Sequence, residues 1–124
     1  MKKVLFIEDD PDQIFLYKKR FDLDCIEVFP AKNSQEAFEI LKNTTPDVIL
    51  LDILLGSENG LDILERLKKD EISKDVPVVI FTNYEKEALK REVSLHKANE
   101  FLMKLKVTPD QLVDKVMEIG NEHE

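Results

Sequence analysis

Residues 47–52 read DVILLD, four aliphatic side chains in a row held between two aspartates. A strand with one wet face alternates polar and apolar residues; this run does not, and it fits a central parallel strand covered on both sides. Working outward, the chain changes period again and again. Lys3–Glu8 (KVLFIE) is a short apolar run ending in charge, and from Pro11 the apolar positions Ile14, Phe15, Tyr17 and Phe21 take helical spacing. Asp10-Pro11 suits a helix start, with the carboxylate as N-cap and proline at the first helical position. Cys25–Phe29 (CIEVF) is a weaker strand, in which Cys25 reads as a small buried residue rather than a reactive thiol. Asn33 to Glu36 (NSQE) has capping-box spacing ahead of a helix face at Ala37, Ile40 and Leu41.

On the other side of DVILLD, Gly56 and Asn59-Gly60 mark a loop, and Leu61, Ile63, Leu64 and Leu67 mark a third helix. Val76–Thr82 (VPVVIFT) is a fourth strand, with Pro77 near its start where a missing donor is tolerable. Glu85–Lys97 reads as a charged helix with a thin apolar seam at Ala88, Leu89 and Val93, followed by a fifth strand at Glu100–Met103 (EFLM). Thr108-Pro109-Asp110-Gln111 is another capping box and opens the last helix. The expected fold class is therefore α/β: a (βα)5 chain forming one doubly wound, five-stranded parallel sheet in the order 2-1-3-4-5, a flavodoxin-like three-layer sandwich. One domain over residues 1–124 is expected, without a linker.

Composition narrows the function. A net charge of −8 argues against a nucleic-acid surface, and the longest apolar runs are too short to cross a bilayer. With 43% hydrophobic and 35% charged residues the chain reads as globular. The single cysteine excludes an internal disulfide, and no secretory signal pattern opens the chain. His96 and His123 stand isolated and suggest neither a metal nor a phosphohistidine site.

In open sheets of this kind ligands bind beyond the carboxyl ends of the strands, where strand order reverses. At those ends stand Glu8-Asp9-Asp10, Asp52, Thr82-Asn83 and Lys104. Each has a dull explanation alone: helix cap, strand terminator, β-branched strand residue, solvated charge. Together they bring carboxylates, a hydroxyl and an ammonium to one edge. Crowded carboxylates favour a cation, and an oxygen-only set that leaves room for water and phosphate suits Mg2+. A carboxylate can also attack phosphorus and become an aspartyl phosphate. Glu8 reads as the last strand residue or an outer charge.

The stretches FIEDDP, DVILLDILLGSENGLDIL, VPVVIFTN and ANEFLMK, in this order and at this spacing, resemble the receiver domain of two-component response regulators, the CheY-like family. The resemblance covers essentially the whole chain. It implies a stand-alone, cytoplasmic, single-domain response regulator without an output domain, in which Asp52 accepts phosphoryl from a sensor histidine kinase or a histidine phosphotransfer protein. Such a domain is not a classical enzyme: it catalyses only its own phosphorylation and dephosphorylation. By position, Asp9 and Asp10 match the acidic pair that binds Mg2+ (with Mn2+ as an alternative ion), directly or through water. The Leu54 backbone carbonyl matches the remaining protein ligand beside Asp52. Thr82 matches the switch hydroxyl, Lys104 the lysine that pairs with the phosphoryl group, and Phe101 the aromatic switch position. The resemblance also implies an output protein docking on the surface of the fourth helix, fifth strand and fifth helix, and no nucleic-acid or membrane partner.

The alternatives are weaker. A pseudo-receiver that binds partners without phosphorylation is the runner-up, but the intact set Asp9, Asp10, Asp52, Thr82 and Lys104 weighs against it. An aspartyl-nucleophile phosphohydrolase commonly carries a second aspartate two residues after the first, and here that position is Leu54. A P-loop or dinucleotide site would need glycines in the first βα turn, which reads EDDPDQ.

Four departures from the family pattern are visible. Leu105 replaces the usual proline after Lys104, in a segment that runs one residue long. Gly56 stands where a proline is common, which predicts a less rigid loop. Asn83 is larger than the usual residue after the threonine, and Phe101 lacks a tyrosine hydroxyl. Leu54, Asn83 and Tyr84 border the approach to Asp52, and neither Leu54 nor Tyr84 offers a carboxylate or amide to orient a hydrolytic water. A long-lived phosphoryl group is therefore predicted: in Mg2+ without a phosphatase, the self-dephosphorylation half-life measured by loss of label should lie well beyond seconds.

Overall fold

The computed structural model describes residues 2–83, 91–93 and 97–122. Five parallel strands form one sheet: β1 (Lys3–Ile7), β2 (Glu27–Ala31), β3 (Val48–Leu51), β4 (Val78–Thr82) and β5 (Glu100–Met103), in the order β2-β1-β3-β4-β5. That is the expected doubly wound topology. Helices α1 (Pro11–Leu23), α2 (Ser34–Leu41), α3 (Gly60–Lys69) and α5 (Pro109–Glu122) flank it, and residues 91–93, labelled α4, are helical. The remaining positions expected in that helix, Ala88 and Leu89 among them, lie outside the described residues; Val93 is buried.

The aliphatic runs bury both faces of the sheet because successive residues of a strand point to opposite sides. Leu5, Ile7, Ile49, Leu51, Val78 and Ile80 enter one core with Ala37 and Leu41 of α2 and Ile63, Leu64 and Leu67 of α3. Val4, Phe6, Val48, Leu50, Val79 and Phe81 enter the other, with Tyr17 and Phe21 of α1 and Leu112, Val113, Val116 and Ile119 of α5. Tyr17 packs edge-on between Phe6 and Phe81, at ring separations of 6.0 and 5.2 Å. Each such side chain, fully buried, contributes roughly 1.5–3 kcal/mol.

The helix starts follow the sequence signals closely. The Asp10 side chain accepts from the Asp12 N–H at 2.9 Å with Pro11 at N1. Thr108 and Gln111 form a reciprocal capping box, each side chain accepting from the other's N–H, at 3.1 and 2.9 Å. Asn33 caps α2 through the Glu36 N–H at 2.9 Å, but Glu36 reaches back to the Lys32 N–H at 3.0 Å, one residue beyond the usual box.

Two local expectations are corrected. Cys25 is exposed and not in a strand: its φ is +58°, and its N–H closes the end of α1 on the Asp22 carbonyl at 3.2 Å. The strand begins two residues later, with Ile26 taking the buried position, and it runs through Pro30. β2 is a sheet edge, where a missing N–H is tolerated. Phe15, expected on the inner face of α1, is 62% exposed and carries the Lys19 ammonium 4.9 Å above its ring. The inward stripe is Tyr17 and Phe21, one helical turn apart.

After β3 the chain does not wander. Leu54–Leu55 pairs antiparallel with Glu58–Asn59, and Gly56 at the turn adopts φ +54°. The loop that holds Gly56 contains a short hairpin, closed at its base by the Gly60 N–H on the Ile53 carbonyl at 2.9 Å. Asn59 then caps α3 through the Leu61 N–H at 2.9 Å. Gly60 is required by close approach, since a Cβ there would lie 2.5 Å from the Asp52 carbonyl oxygen and 2.6 Å from the Ile53 Cα. Both obstacles are backbone and cannot turn aside. Gly60→Ala is expected to lower stability by about 1–3 kcal/mol, read by urea denaturation, and to shift the Asp52 and Ile53 amide resonances.

Candidate functional site at the carboxyl edge of the sheet

Parallel pairing sets the site. Ile7 lies opposite Leu51, and the Asp52 N–H donates to the Ile7 carbonyl at 3.1 Å, so Glu8 and Asp52 leave the sheet side by side. Thr82 ends β4 opposite Met103, which places Lys104 immediately beyond it. Asp52 and Thr82 are both buried, 6% and 0% exposed.

Lys104 reaches back under this edge. Its ammonium contacts Asp52 Oδ2 at 3.0 Å and also bonds Glu8 Oε1, with all three side chains almost wholly withdrawn from water. It lies 5.6 Å from the centre of the Phe81 ring. Burial by itself lowers the lysine pKa, but the bonds to Glu8 and Asp52 outweigh it and leave the ammonium held above its ordinary value. Burial pushes the Glu8 carboxyl up, opposed by the hydrogen bond and charge of Lys104. The second Glu8 oxygen accepts from the Asp10 N–H at 3.3 Å. Asp52 Oδ1 accepts from the Leu54 N–H at 3.1 Å, so backbone and ammonium grip one oxygen each.

The three neighbouring acids of the first turn therefore do three different things. Glu8 points inward to the lysine. Asp9 is exposed, its Oδ2 3.6 Å from where a Gly56 Cβ would stand, so its carboxylate faces the tip of the β3 hairpin. Asp10 is exposed and commits one oxygen to the cap of α1. Glu8 is the functional residue that sequence reasoning underrated. Its signal was phase: it continues the alternation Val4, Phe6, as Asp52 continues Val48, Leu50, so both face the α1–α5 side where a charge needs a partner.

Among the other expected residues, Leu54 is 55% exposed and Asn83 is exposed; Tyr84 lies outside the described residues. Phe101 is half-buried against the core shared with α2 and α3. Lys104 begins a short 3-10 turn, Lys104–Lys106, with no cis peptide among the described residues, and Leu105 is 83% exposed. Proline is therefore not needed to place the ammonium. Among the described residues no three His, Cys, Asp or Glu side chains form a ready-made metal cage. The Asp9 carboxylate stands near the hairpin tip, and Asp52 lies at its base.

Fold and site together define a doubly wound domain with an acid–lysine centre at the ends of β1, β3 and β5. Residues 4–117 match the response regulator receiver domain, and the chain belongs to that family. It is 37% identical over 94 residues to the sensory transduction protein LytT of Bacillus subtilis, covering 73% of this chain but 37% of that protein. With protein PilH of Pseudomonas aeruginosa it shares 26% identity over 104 residues, 84% of this chain and 86% of PilH. The crystal structure of a CheY-like receiver domain protein from Methanospirillum hungatei superposes with a TM-score of 0.90 over 99% of this chain and 96% of that one, at 24% identity. No helix among the described residues is long and apolar enough to cross a membrane.

Removing the ammonium leaves two buried carboxylates facing each other. Lys104→Met is expected to cost about 3–5 kcal/mol at pH 7. The loss should shrink as pH falls toward the range where Glu8 takes up a proton. A carboxyl whose folded pKa is raised gives its stability below the unfolded pKa and loses it as pH rises through the folded value. Urea denaturation of both proteins at pH 7 and pH 4.5 measures it.

Proposed function

We propose that this receiver domain takes a phosphoryl group onto Asp52 from the phosphohistidine of a sensor kinase or phosphotransfer protein, and that the modified edge alters binding of an output protein. The observation that carries the reading is the pairing of Asp52 with Lys104 at 3.0 Å inside a buried edge. An Asp52 oxygen attacks phosphorus as the N–P bond of the donor breaks, and the imidazole leaves with the electron pair. The lysine ammonium, already on Oδ2, neutralises the gathering charge, which is the main service phosphoryl transfer asks of a protein. Thr82 stands at the end of the neighbouring strand as hydroxyl donor to the new phosphoryl oxygens, with Phe101 two positions before Met103 on β5.

Mg2+, or Mn2+ in its place, would be held by Asp9, Asp52 and the Leu54 carbonyl and would supply further charge neutralisation at the phosphoryl oxygens. Asp10 has one oxygen left beyond its capping bond and suits an outer role through water. Glu8 becomes available to the same centre whenever Lys104 turns from it toward a phosphoryl group.

With acetyl phosphate and Mg2+, label should enter the wild-type chain and be lost in Asp52→Asn. Asp9→Asn should weaken Mg2+ binding at least about tenfold, and Asp10→Asn less, because the capping oxygen is already committed. Full incorporation in Asp52→Asn would move the acceptor elsewhere. A wild-type protein that takes no phosphoryl from any donor would instead be a passive binding module of the same fold.

A further inference from the structure

Glu58 stands on the second arm of the β3 hairpin, and both oxygens of its carboxylate are engaged by one residue far away in sequence. Oε1 accepts from the Ser34 backbone N–H at 2.9 Å, and Oε2 bonds the Ser34 hydroxyl. Ser34 is buried and is the first residue of α2. These two bonds, the hydroxyl's first, hold the Glu58 carboxyl below its ordinary range.

The anchor is well placed. Three residues before Ser34, the Ala31 carbonyl accepts from the Glu8 N–H at 2.9 Å, so the turn after β2 is already fastened to the end of β1. Glu58 extends that fastening to the hairpin, whose backbone pairs Leu55 with Glu58 and Leu54 with Asn59. A ladder of two residues per arm, turned by a glycine at φ +54°, has little stability of its own. Ile53 and Leu55 anchor the first arm in the core, and the tie from Glu58 fastens the second. The segment so tied carries Leu54, whose N–H is bonded to Asp52, and its tip faces Asp9.

We propose that Glu58 is a positioning residue for the phosphoacceptor site: its two-point clamp on Ser34 holds the 53–59 hairpin so that Leu54 presents its carbonyl next to Asp52. The inference rests on the phosphoacceptor reading above. It differs from a merely structural bond in what it predicts, since a structural bond would change stability and leave metal affinity alone.

The test compares the full chain with Glu58→Ala, Glu58→Gln, Ser34→Ala and the double variant Glu58→Ala/Ser34→Ala. Amide hydrogen exchange is followed without metal, and Mg2+ affinity is measured by titration. In Glu58→Ala the amides of residues 54–59 should exchange about tenfold faster, and the Mg2+ Kd should rise about tenfold. Glu58→Gln can still accept from the Ser34 N–H and donate to its hydroxyl, and should recover most of both. The double variant should be no worse than Glu58→Ala, because the two residues act as one pair. If Glu58→Ala does not fold, Glu58→Gln and Ser34→Ala carry the comparison.

Unchanged exchange at 54–59, or wild-type Mg2+ affinity despite faster exchange, overturns the proposal. Should the wild-type protein neither bind Mg2+ nor take up phosphoryl, the phosphoacceptor reading fails and the metal arm with it. The exchange arm then decides alone whether Glu58 holds the hairpin.

Discussion

A lysine withdrawn from water between two carboxylates is the constraint on which the rest of this structure turns. A buried ammonium is stable only if its partners are close, fixed and themselves hydrogen-bonded. Lys104 finds them in Glu8 and Asp52, which directly follow the two neighbouring strands β1 and β3. The partners are fixed in turn: Glu8 by its backbone bond to Ala31, Asp52 by its backbone bond to Ile7 and by the Leu54 N–H. The sheet register thus does electrostatic as well as structural work. A one-residue slip of either strand would turn its acid to the opposite face and cost the ammonium one of its two partners.

The same arrangement suits the chemistry proposed for it. Asp52 is kept buried yet beside a fixed positive charge, so no large reorganisation has to accompany negative charge arriving at its oxygens. The lysine already divides its bonds between two acids, and a phosphoryl group would enter a centre whose cation has somewhere to move from. Around it, the hairpin after β3 and the turn after β2 are anchored in the core by Ala31, Ile53 and Leu55 and tied to one another and to β1 by a few specific bonds.

Much of this was legible in the residues, for local reasons. Strand and helix follow from period, and the caps at Asp10, Asn33 and Thr108 follow from short-range spacing; each involves groups within a few positions of one another. The readings that went astray also have local causes. Cys25 sits in an apolar-looking run, but the closing turn of α1 takes it into a left-handed conformation and hands the buried position to Ile26. Phe15 has an apolar side chain at a plausible spacing, yet the stripe set by Tyr17 and Phe21 passes it by, and it is left to stack with Lys19.

The sequence by itself determined the alternation of strands and helices, hence a parallel sheet covered on both faces, and it placed Asp9, Asp10, Asp52, Thr82 and Lys104 at the ends of those strands. Those are consequences of periodicity and order along the chain. Only the tertiary structure decided which acid the lysine takes, that Asp10 is chiefly a cap, and that Glu58 fastens the hairpin to Ser34. Such choices depend on which way a side chain faces once its strand has ended and on distances between groups as much as 96 positions apart. Neither quantity is carried by spacing alone, because the pairing of strands, not their order, brings those groups within reach.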